Sequence, residues 1–402
     1  MNIIEKFEKL GVDSAPGQEP HRQDTGLDIR GGIIPGVTVD FSHGDVDAFT
    51  PIPGTLESFI EGVHTGGSQA YTEYRGKDTV REDLAAKISA FTGAKIDSDQ
   101  EIILTPGTQG ALFLAVGANI MPGDKVALVE PDYFANRKLV EFFGGKAVPV
   151  RMRFTEYSDR AGLDLVTLED AFKDGVKLFL YSNPNNPTGV IYSPDEVCAI
   201  GELSKRYGVT VIADELYSRQ IFDRRSYTHL CVQKIIPDDL ITIIGPSKTE
   251  SLSGYRLGVA FGTSAVIERM EKLQAIVSLR CSGYNQAVFK SWFNEPEGWM
   301  EERIAQHQAI RDNLLSRLGE VDGIYARTSE GGSYLFVKLP EMDISMHDFI
   351  NILRIQASVT VTPGTEFGLQ FTDWFRINFS QDHKAATNAI DRIIKVMERY
   401  RK

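Results

Sequence analysis

The 402-residue sequence predicts an α/β protein with two domains: a large domain with a mostly parallel sheet covered by helices, and a smaller α+β domain. Three observations lead to this prediction. Between residues 101 and 213, short apolar segments alternate with amphipathic segments, which is the order of strands and helices in a parallel sheet. After Gly262 the pattern changes to long helices followed by a few short strands. The length allows two separate cores.

The elements of the first half follow from this pattern in chain order. The first ~45 residues are expected to be irregular, and the glycine-rich piece at 31–36 suits an arm that crosses a surface. A short strand is expected from Val39, a helix after Pro51 and Pro53, and an amphipathic helix at 80–92. Strands are then expected at 102–104, 125–129, 147–150, 177–181, 209–213 and 240–244. Helices are expected between them at 107–120, 133–143, 165–172 and 194–207.

The second half is predicted to be richer in long helices. Helices are expected at 264–277, 286–293, 299–318, 345–355 and 384–400, and strands at 334–338, 358–361 and 374–379. We therefore divide the chain into three segments. Residues 1–48 form an N-terminal arm and part of the small domain, 49–285 form the large domain, and 286–402 form the small C-terminal domain.

Composition and charge exclude several classes of function. The net charge of -12 argues against nucleic acid or an anionic membrane as the main partner, because both require a basic face. No apolar run approaches the ~20 residues that cross a bilayer, and the N-terminus lacks the order of a secretion signal. The three cysteines are too scattered for a disulfide framework or a metal site. We expect a cytoplasmic protein without a structural metal.

A turn with two glycines, Pro106-Gly107-Thr108-Gln109-Gly110, joins a predicted strand to a predicted helix. Backbone amides in such a turn and the positive end of a helix can hold an anion such as a phosphate. The guanidinium of Arg256 is a suitable partner for the same anion. The alternatives are a plain strand-helix turn and a surface arginine.

Two further polar segments follow predicted strands. Asn186 lies in a loop stiffened by two prolines and ended by Gly189, so that its side chain is held firmly. Asp214 ends an apolar strand, where a carboxylate is costly to bury unless a positive group pairs with it. A heterocyclic N–H⁺ is one such partner, and Tyr217 could contact the same ligand. A rigid turn and a helix cap are the alternatives.

A single lysine, Lys248, lies in a small-residue loop after the apolar strand at 240–244. Desolvation favours the neutral amine, which can attack carbonyl groups. An exposed loop lysine is the alternative. Because ligands of parallel sheets bind at the carboxyl ends of the strands, this lysine and the polar segments above are expected to meet in one site.

Together these segments resemble the fold type I pyridoxal 5'-phosphate (PLP) enzymes, specifically the aspartate aminotransferase-like class I/II aminotransferase family. The resemblance covers the chain from about Gly44 to Arg376. It rests on N-P-T-G at 186–189, A-D-E-L-Y at 213–217 and S-K-T-x-S-x-x-G-Y-R-x-G at 247–258, in this order. The combination is far more specific than any one motif.

The resemblance implies a set of cofactor-binding residues: Gly107, Thr108, Gln109, Tyr133, Asn186, Asp214, Tyr217, Lys248, Arg256 and Tyr71. By the same resemblance Lys248 is the Schiff-base lysine and proton shuttle, and Asp214 keeps the pyridine nitrogen protonated so that the ring accepts electrons. Asn186 and Tyr217 contact the phenolic oxygen.

The remaining implied roles concern the phosphate, the ring and the substrate. Gly107, Thr108 and Gln109 hold the phosphate together with Arg256, and Tyr133 stacks on the ring. Arg376 binds the substrate α-carboxylate, with Asn186 and Gly44 as further substrate contacts. Tyr71 reaches the phosphate of a neighbouring subunit, which implies a homodimer with composite sites.

The sequence departs from the family at two positions. Tyr255 stands where the family often has tryptophan, and Gly245 stands where it often has a serine that can bind the phosphate. Ser247 is a possible replacement for that serine. Five residues are candidates for contacting the substrate side chain: Arg280, Tyr74, His43, Arg30 and Tyr255. An arginine in that place would favour an acidic substrate.

The implied function is a ping-pong transfer of an amino group between an α-amino acid and a 2-oxo acid. A PLP-dependent lyase or biosynthetic cyclase is the alternative, because the same scaffold supports these reactions. A PLP-binding regulatory domain is disfavoured by the acidic charge and by the presence of both Lys248 and Arg376.

Overall fold

The computed structural model describes residues 2–11, 26–44, 48–66 and 71–402. Asp45, which the sequence places in the turn after the first strand, lies outside these ranges. The strands are β1 (Val39–Asp40), β2 (Ile102–Pro106), β3 (Lys125–Glu130), β4 (Lys146–Arg151), β5 (Leu178–Ser182), β6 (Thr210–Asp214), β7 (Leu240–Ile244), β8 (Leu257–Gly262), β9 (Tyr325–Ala326), β10 (Tyr334–Lys338), β11 (Val359–Thr360), β12 (Thr362–Pro363) and β13 (Trp374–Asn378).

The helices of the first half are α1 (Ile3–Leu10), α2 (Thr55–Gly66), α3 (Asp78–Thr92), α4 (Gly107–Gly117), α5 (Phe134–Phe142), α6 (Leu165–Lys173) and α7 (Pro194–Tyr207). Those of the second half are α8 (Ser264–Val277), α9 (Gly283–Gln286), α10 (Trp299–Gly319), α11 (Met346–Ile352) and α12 (His383–Met397). In the part of the chain that is described, no helix is both long and apolar enough to cross a membrane.

A seven-stranded sheet forms the centre, with its strands in the order β2-β8-β7-β6-β5-β3-β4. Every neighbouring pair from β7 to β4 is parallel, whereas β8 is antiparallel to both β2 and β7. The mixed α/β fold with a mostly parallel sheet is therefore confirmed. Because parallel strands end at the same edge, the loops after β5, β6 and β7 lie next to one another.

Helices cover both faces of this sheet because the apolar residues of a strand alternate between its faces. Leu178 and Leu180 of β5 pack in one cluster with residues of α4 and α8. Phe179 and Tyr181 pack in another cluster with residues of α6 and α7. Each such buried side chain contributes about 1.5–3 kcal/mol of hydrophobic stabilisation. The sheet is thus a rigid base for the loops at its edge.

A second, antiparallel sheet has the order β12-β13-β10-β9. Its core includes apolar residues of α10 and α12 together with Val39 and Phe41 from the N-terminal segment. β1 pairs in parallel with β11, so that Val39 lies beside Val359. The N-terminal segment therefore packs with the C-terminal part of the chain.

The structure corrects two element predictions. Residues 3–10 form α1 rather than an irregular arm, because Asn2 and Glu5 form a capping box and Gly11 ends the helix in a left-handed conformation. The helix predicted at 286–293 is instead the short α9 followed by a 3₁₀ turn at Ala287–Lys290. Phe293 has a φ of 61°, which stops any helix from continuing through it.

Candidate active site

A cavity of about 360 Å³ lies at the carboxyl edge of the seven-stranded sheet. Its lining includes many of the residues that the motifs singled out: Thr108, Gln109, Tyr133, Asn186, Asp214, Tyr217, Lys248 and Arg256. The sequence reasoning missed Ser182 and Tyr334, which line it as well. A larger groove of about 1610 Å³ beside the four-stranded sheet contains none of the predicted cofactor-binding residues. The chemistry therefore belongs to the smaller cavity.

The start of α4 forms one end of this cavity. Gly107 has a φ of +75°, and a Cβ atom placed on it would lie 2.3 Å from Nη2 of Arg256. Only glycine therefore lets the guanidinium lie against the helix N-terminus. Arg256 also donates a hydrogen bond from Nη1 to the Ser253 carbonyl at 3.1 Å. Unpaired amides of the first turn and a fixed guanidinium together suit a phosphate.

The packing at the same end of the cavity explains why residue 245 is a glycine. A Cβ atom at Gly245 would lie 2.7 Å from the methyl carbon Cγ2 of Thr108 and 3.3 Å from the Leu257 carbonyl oxygen. A serine at this position would therefore displace Thr108. The Ser247 hydroxyl donates to the Leu257 carbonyl at 3.3 Å, so its proton is directed to the backbone. Thr108 thus occupies the space that a serine side chain at 245 would need.

The loop that carries Lys248 is held from several sides while Lys248 itself lines the cavity. The Thr249 hydroxyl donates to the Gln220 side chain at 3.1 Å. The buried carboxylate of Glu250 pairs with Arg219 at 2.6 Å. From α10, Arg303 donates to the Thr249 carbonyl at 3.2 Å. These contacts hold the backbone of the loop in place and so fix the direction in which the Lys248 side chain extends.

Asp214 is the last residue of β6, and one of its oxygens accepts a hydrogen bond from the Leu216 amide at 3.2 Å. Burial raises the pKa of Asp214 to about 6, and the nearby Lys248 ammonium opposes this rise. The side chain retains some accessible surface toward the cavity, yet it lies deep in the protein, and desolvation dominates its pKa. A cationic N–H⁺ in the cavity would restore the charged form.

Asp132 joins the loops that follow β3 and β5. Its carboxylate accepts hydrogen bonds from the Tyr133 amide at 2.6 Å and the Ser182 amide at 3.0 Å, and from the Ser182 hydroxyl. The Ser182 oxygen in turn accepts from the Asn186 amide at 3.1 Å. The Tyr133 hydroxyl donates to Gln109 at 3.1 Å. Asp132 therefore orients the two loops that present Tyr133 and Asn186.

Arg376, on β13, is 2% exposed and lies against Asn186 and Tyr334, two residues that line the cavity. Its Nη1 donates to the Asn186 side-chain oxygen at 3.0 Å, and its Nη2 donates to the Ser42 carbonyl at 2.6 Å. Within the described ranges, its Nε has no hydrogen-bond partner and no carboxylate forms a salt bridge with it. A buried guanidinium without a counter-ion fits an anionic ligand such as a carboxylate.

A family model described as aminotransferase class I and II matches residues 38–393. The chain belongs to this family. An aspartate aminotransferase from Sulfolobus acidocaldarius is 30% identical over 342 residues, which is 82% of each chain. A crystal structure of an aspartate aminotransferase from Rhodobacter sphaeroides 2.4.1 has a TM-score of 0.94, is 57% identical and is matched over 100% of both chains.

A structure of the aspartate aminotransferase from Thermus thermophilus is 23% identical, has a TM-score of 0.82 and is matched over 89% of this chain and 91% of that one. It shares the fold.

The family match and the two more similar relatives show that the chain is a PLP-dependent class I and II aminotransferase, and none of these comparisons favours the lyase alternative. No group of three or more His, Cys, Asp or Glu side chains in residues 2–11, 26–44, 48–66 and 71–402 is placed to hold a metal ion.

The cavity of this aminotransferase fits PLP at both of the cofactor's charged ends. The cradle at Gly107 and Arg256 is open only because residue 107 has no Cβ, and it suits the phosphate. Asp214 faces the same cavity and suits the pyridinium N–H⁺. When bound, PLP supplies an electron sink that stabilises a carbanion at the substrate Cα.

We expect Asp214→Asn to stabilise the cofactor-free aminotransferase at neutral pH. A carboxyl group with a raised pKa stabilises the fold while protonated, and this contribution is lost as the pH rises through about 6. At pH 7 the asparagine variant should be more stable by up to about 3 kcal/mol, and at pH 4 the two proteins should be nearly equal. Denaturant unfolding at the two pH values measures this difference.

The same variant should bind PLP more weakly, because an amide cannot pair with a pyridinium ion. If the stability difference between Asp214→Asn and wild type does not grow between pH 4 and pH 7, the role of burial is contradicted.

Four predicted site residues lie outside the lining of the cavity: Arg376, Gly107, Gly44 and Tyr71. Arg376 contacts the cavity through Asn186. Gly107 lies directly against the Arg256 guanidinium, with its Nη2 2.3 Å from where a Cβ at position 107 would lie. Gly44 packs against Ser380, whose Cβ would be 3.3 Å from a Cβ at position 44. Tyr71 is 77% exposed and lies beside Arg280, with the guanidinium carbon 4.5 Å from the tyrosine ring centroid. A single chain therefore does not bring Tyr71 into its own cavity.

The other side-chain candidates also have structural partners. Arg30 forms ion pairs with Asp28 at 2.7 Å and Asp343 at 2.6 Å. His43 lies 3.5 Å from Asp40 and lines the larger groove. Tyr255 packs its ring 5.9 Å from that of Phe59. Tyr74 and Tyr71 both lie against Arg280. Of these candidates, Arg280 is the one that lies directly beside Tyr71.

Proposed function

We propose that this aminotransferase transfers the amino group of aspartate to a 2-oxo acid, in two half-reactions at one site. The proposal is supported by the aspartate aminotransferase of R. sphaeroides, which is 57% identical over the whole chain. The observation that carries it is the position of Arg280 beside Tyr71, because a second arginine is needed to recognise the side-chain carboxylate of an acidic substrate.

We also propose that the protein is a homodimer with composite sites. The α2 residues Leu56, Ile60 and Val63 are exposed, and so are Tyr71 and Ile276, the latter by 82%. α2 packs against α9, and the Gln286 side chain donates to the Thr72 hydroxyl at 3.1 Å, so α2 and the segment at Tyr71 both lie next to α9. An apolar face of this kind favours contact with a second copy, which would carry Tyr71 and Arg280 toward the partner's cavity.

In the proposed reaction, Arg376 binds the α-carboxylate of the substrate and Arg280 of the partner subunit binds its second carboxylate. Two fixed carboxylates orient the Cα–H bond relative to the Lys248 Nζ. The free amine of Lys248 would accept the proton from Cα, and Asp214 would keep the pyridine nitrogen protonated. Arg256 and the 107–109 turn would hold the phosphate, and Tyr133 would contact the ring.

We make two further proposals, on the cellular location and on the domain boundaries. We propose a cytoplasmic location, which agrees with the free thiols of Cys198, Cys231 and Cys281. We also propose the division into 1–48, 49–285 and 286–402. It is supported by the core that joins the N-terminal segment to residues after 310.

The test of the substrate assignment is the Arg280→Ala variant. We expect kcat/KM for aspartate to fall by about 10²-fold or more, while kcat/KM for alanine, which lacks a second carboxylate, changes little. A matched control is Arg269→Ala, which removes an arginine that pairs with Asp239 at 3.0 Å. Equal losses with aspartate and alanine would overturn the role of Arg280.

Mixed dimers test whether Arg280 acts across the interface. Co-expression of the Arg280→Ala chain with a Lys248→Ala chain gives mixed dimers in which one site has Lys248 from one subunit and Arg280 from the other. We expect these dimers to recover up to half of the wild-type aspartate activity. If Arg280 acts within its own chain, no site is restored, and the mixed dimers stay as inactive as the parents.

A further inference from the structure

Tyr334 lies between the two ends of the active site, although no motif pointed to it. It is the first residue of β10, which pairs with the strand that carries Arg376, and it is 4% exposed. Its hydroxyl oxygen is 2.5 Å from that of Tyr217. The Arg376 guanidinium carbon lies 4.4 Å from the centroid of its ring. One side chain therefore contacts both a proposed cofactor ligand and the proposed carboxylate ligand.

Two hydrogen bonds in this region join loops of the seven-stranded sheet to side chains of the four-stranded sheet. Asn186 follows β5 of the seven-stranded sheet and accepts a hydrogen bond from Arg376. Tyr217 follows β6 and shares a hydrogen bond with Tyr334. Both residues that are proposed to contact the phenolic oxygen of PLP are thus bonded to side chains of the four-stranded sheet.

A short hydrogen bond between two hydroxyl groups has a direction, because each oxygen carries one proton. If Tyr334 donates to Tyr217, the Tyr217 proton is free to point into the cavity. If Tyr217 donates to Tyr334, its proton is engaged in that hydrogen bond and cannot point into the cavity. The Arg376 guanidinium lies over the Tyr334 ring, and a cation in this position withdraws electron density from the phenol and strengthens its O–H as a donor. An anion bound to Arg376 weakens this effect.

We propose that Tyr334 is a positioning residue that couples substrate carboxylate binding at Arg376 to the hydrogen bond that Tyr217 donates into the cavity. The proposal rests on the proposed roles of Tyr217 and Arg376. Other charged or titratable groups near Tyr217 are Arg376 itself and Tyr133. Neither forms a hydrogen bond with the Tyr217 hydroxyl among the contacts of the described chain.

The test uses the visible absorbance of the lysine-bound cofactor, which is titrated against pH in four proteins: wild type, Tyr217→Phe, Tyr334→Phe and the double variant. We expect Tyr334→Phe to move the midpoint by about half a pH unit to one unit, the size expected for one hydrogen bond. In the Tyr217→Phe background the same change should have no further effect, because Tyr334 acts through Tyr217.

A second measurement adds succinate, an unreactive dicarboxylate, to the same titrations. In wild type, succinate should shift the midpoint, and in Tyr334→Phe the shift should be at least halved. Tyr192→Phe is a matched control, because Tyr192 is a buried tyrosine whose hydroxyl has no hydrogen-bond partner within the described residues. Thermal unfolding of each variant shows whether it is folded, and phenylalanine keeps the ring at each position.

The outcomes separate this proposal from the function on which it rests. Additive effects of Tyr217→Phe and Tyr334→Phe, or an undiminished succinate shift in Tyr334→Phe, would overturn the coupling alone. A Tyr217→Phe variant with an unchanged titration would overturn the role of Tyr217 and the coupling together.

Discussion

Replacing Lys248 by alanine is expected to lower kcat for transamination by about 10⁴-fold or more. The variant loses the amine that attaches PLP and also the base that moves the proton from the substrate Cα. Phosphate, ring and carboxylate contacts do not involve this side chain, so PLP should still bind without a covalent bond. Steady-state kinetics with aspartate and a 2-oxo acid measure the loss.

Lys272→Ala is the control for Lys248→Ala, because Lys272 is an exposed lysine that pairs with Glu268 at 2.6 Å. It should leave kcat unchanged. Lys248→Arg keeps a positive charge but supplies no neutral amine near pH 7, and it should be as inactive as the alanine variant. Activity of Lys248→Ala within tenfold of wild type would show that another group is the base.

The second large effect is expected from Arg376→Ala, which should lower kcat/KM by about 10²–10³-fold for every α-amino acid. The buried guanidinium lacks a counter-ion among the described residues, and the substrate carboxylate supplies one. Removing the guanidinium leaves the substrate carboxylate without a partner and also removes the hydrogen bond to the Asn186 side chain. Most of the loss should appear as a higher KM.

Arg376→Lys separates charge from geometry. Lysine keeps the positive charge but cannot form the paired hydrogen bonds of a guanidinium, so it should recover only part of the loss. The affinity for PLP should stay within about threefold of wild type in both variants, since Arg376 lies at the carboxylate end of the site. An unchanged KM in Arg376→Ala would rule out Arg376 as the residue that binds the substrate α-carboxylate.

The strands and the site residues after them could be predicted because both depend on local sequence. β5, β6 and β7 are continuous apolar runs, and each is followed by a polar or small-residue loop. Parallel pairing then places Asn186, Asp214 and Lys248 at one edge, whatever the details of packing. That is why a cavity at this edge follows from order and spacing alone.

Tyr334 could not be predicted in the same way, because its role depends on how the second sheet packs against the first. Nothing in its neighbours distinguishes it from an ordinary strand tyrosine. Gly245 illustrates the same limit, since the reason for the glycine is the methyl group of Thr108, which is distant in sequence. The Asp132 contacts to Ser182 likewise join two loops that are 50 residues apart.

The failure to predict α1 has a different cause. Its capping box at Asn2 and Glu5 and its final Gly11 are local signals that are visible in the sequence. The helix predicted to reach residue 293 is interrupted at Phe293, whose left-handed backbone conformation no local pattern indicates.

The central claim is that PLP is attached to Lys248 in the cavity at the carboxyl edge of the large sheet. Borohydride reduction of the purified holoenzyme, followed by proteolysis and mass spectrometry of the peptides, tests it most directly. We expect one phosphopyridoxyl-lysine, located at Lys248, and none in the Lys248→Ala variant. A label on any other lysine, or a protein that carries no PLP, would contradict the account.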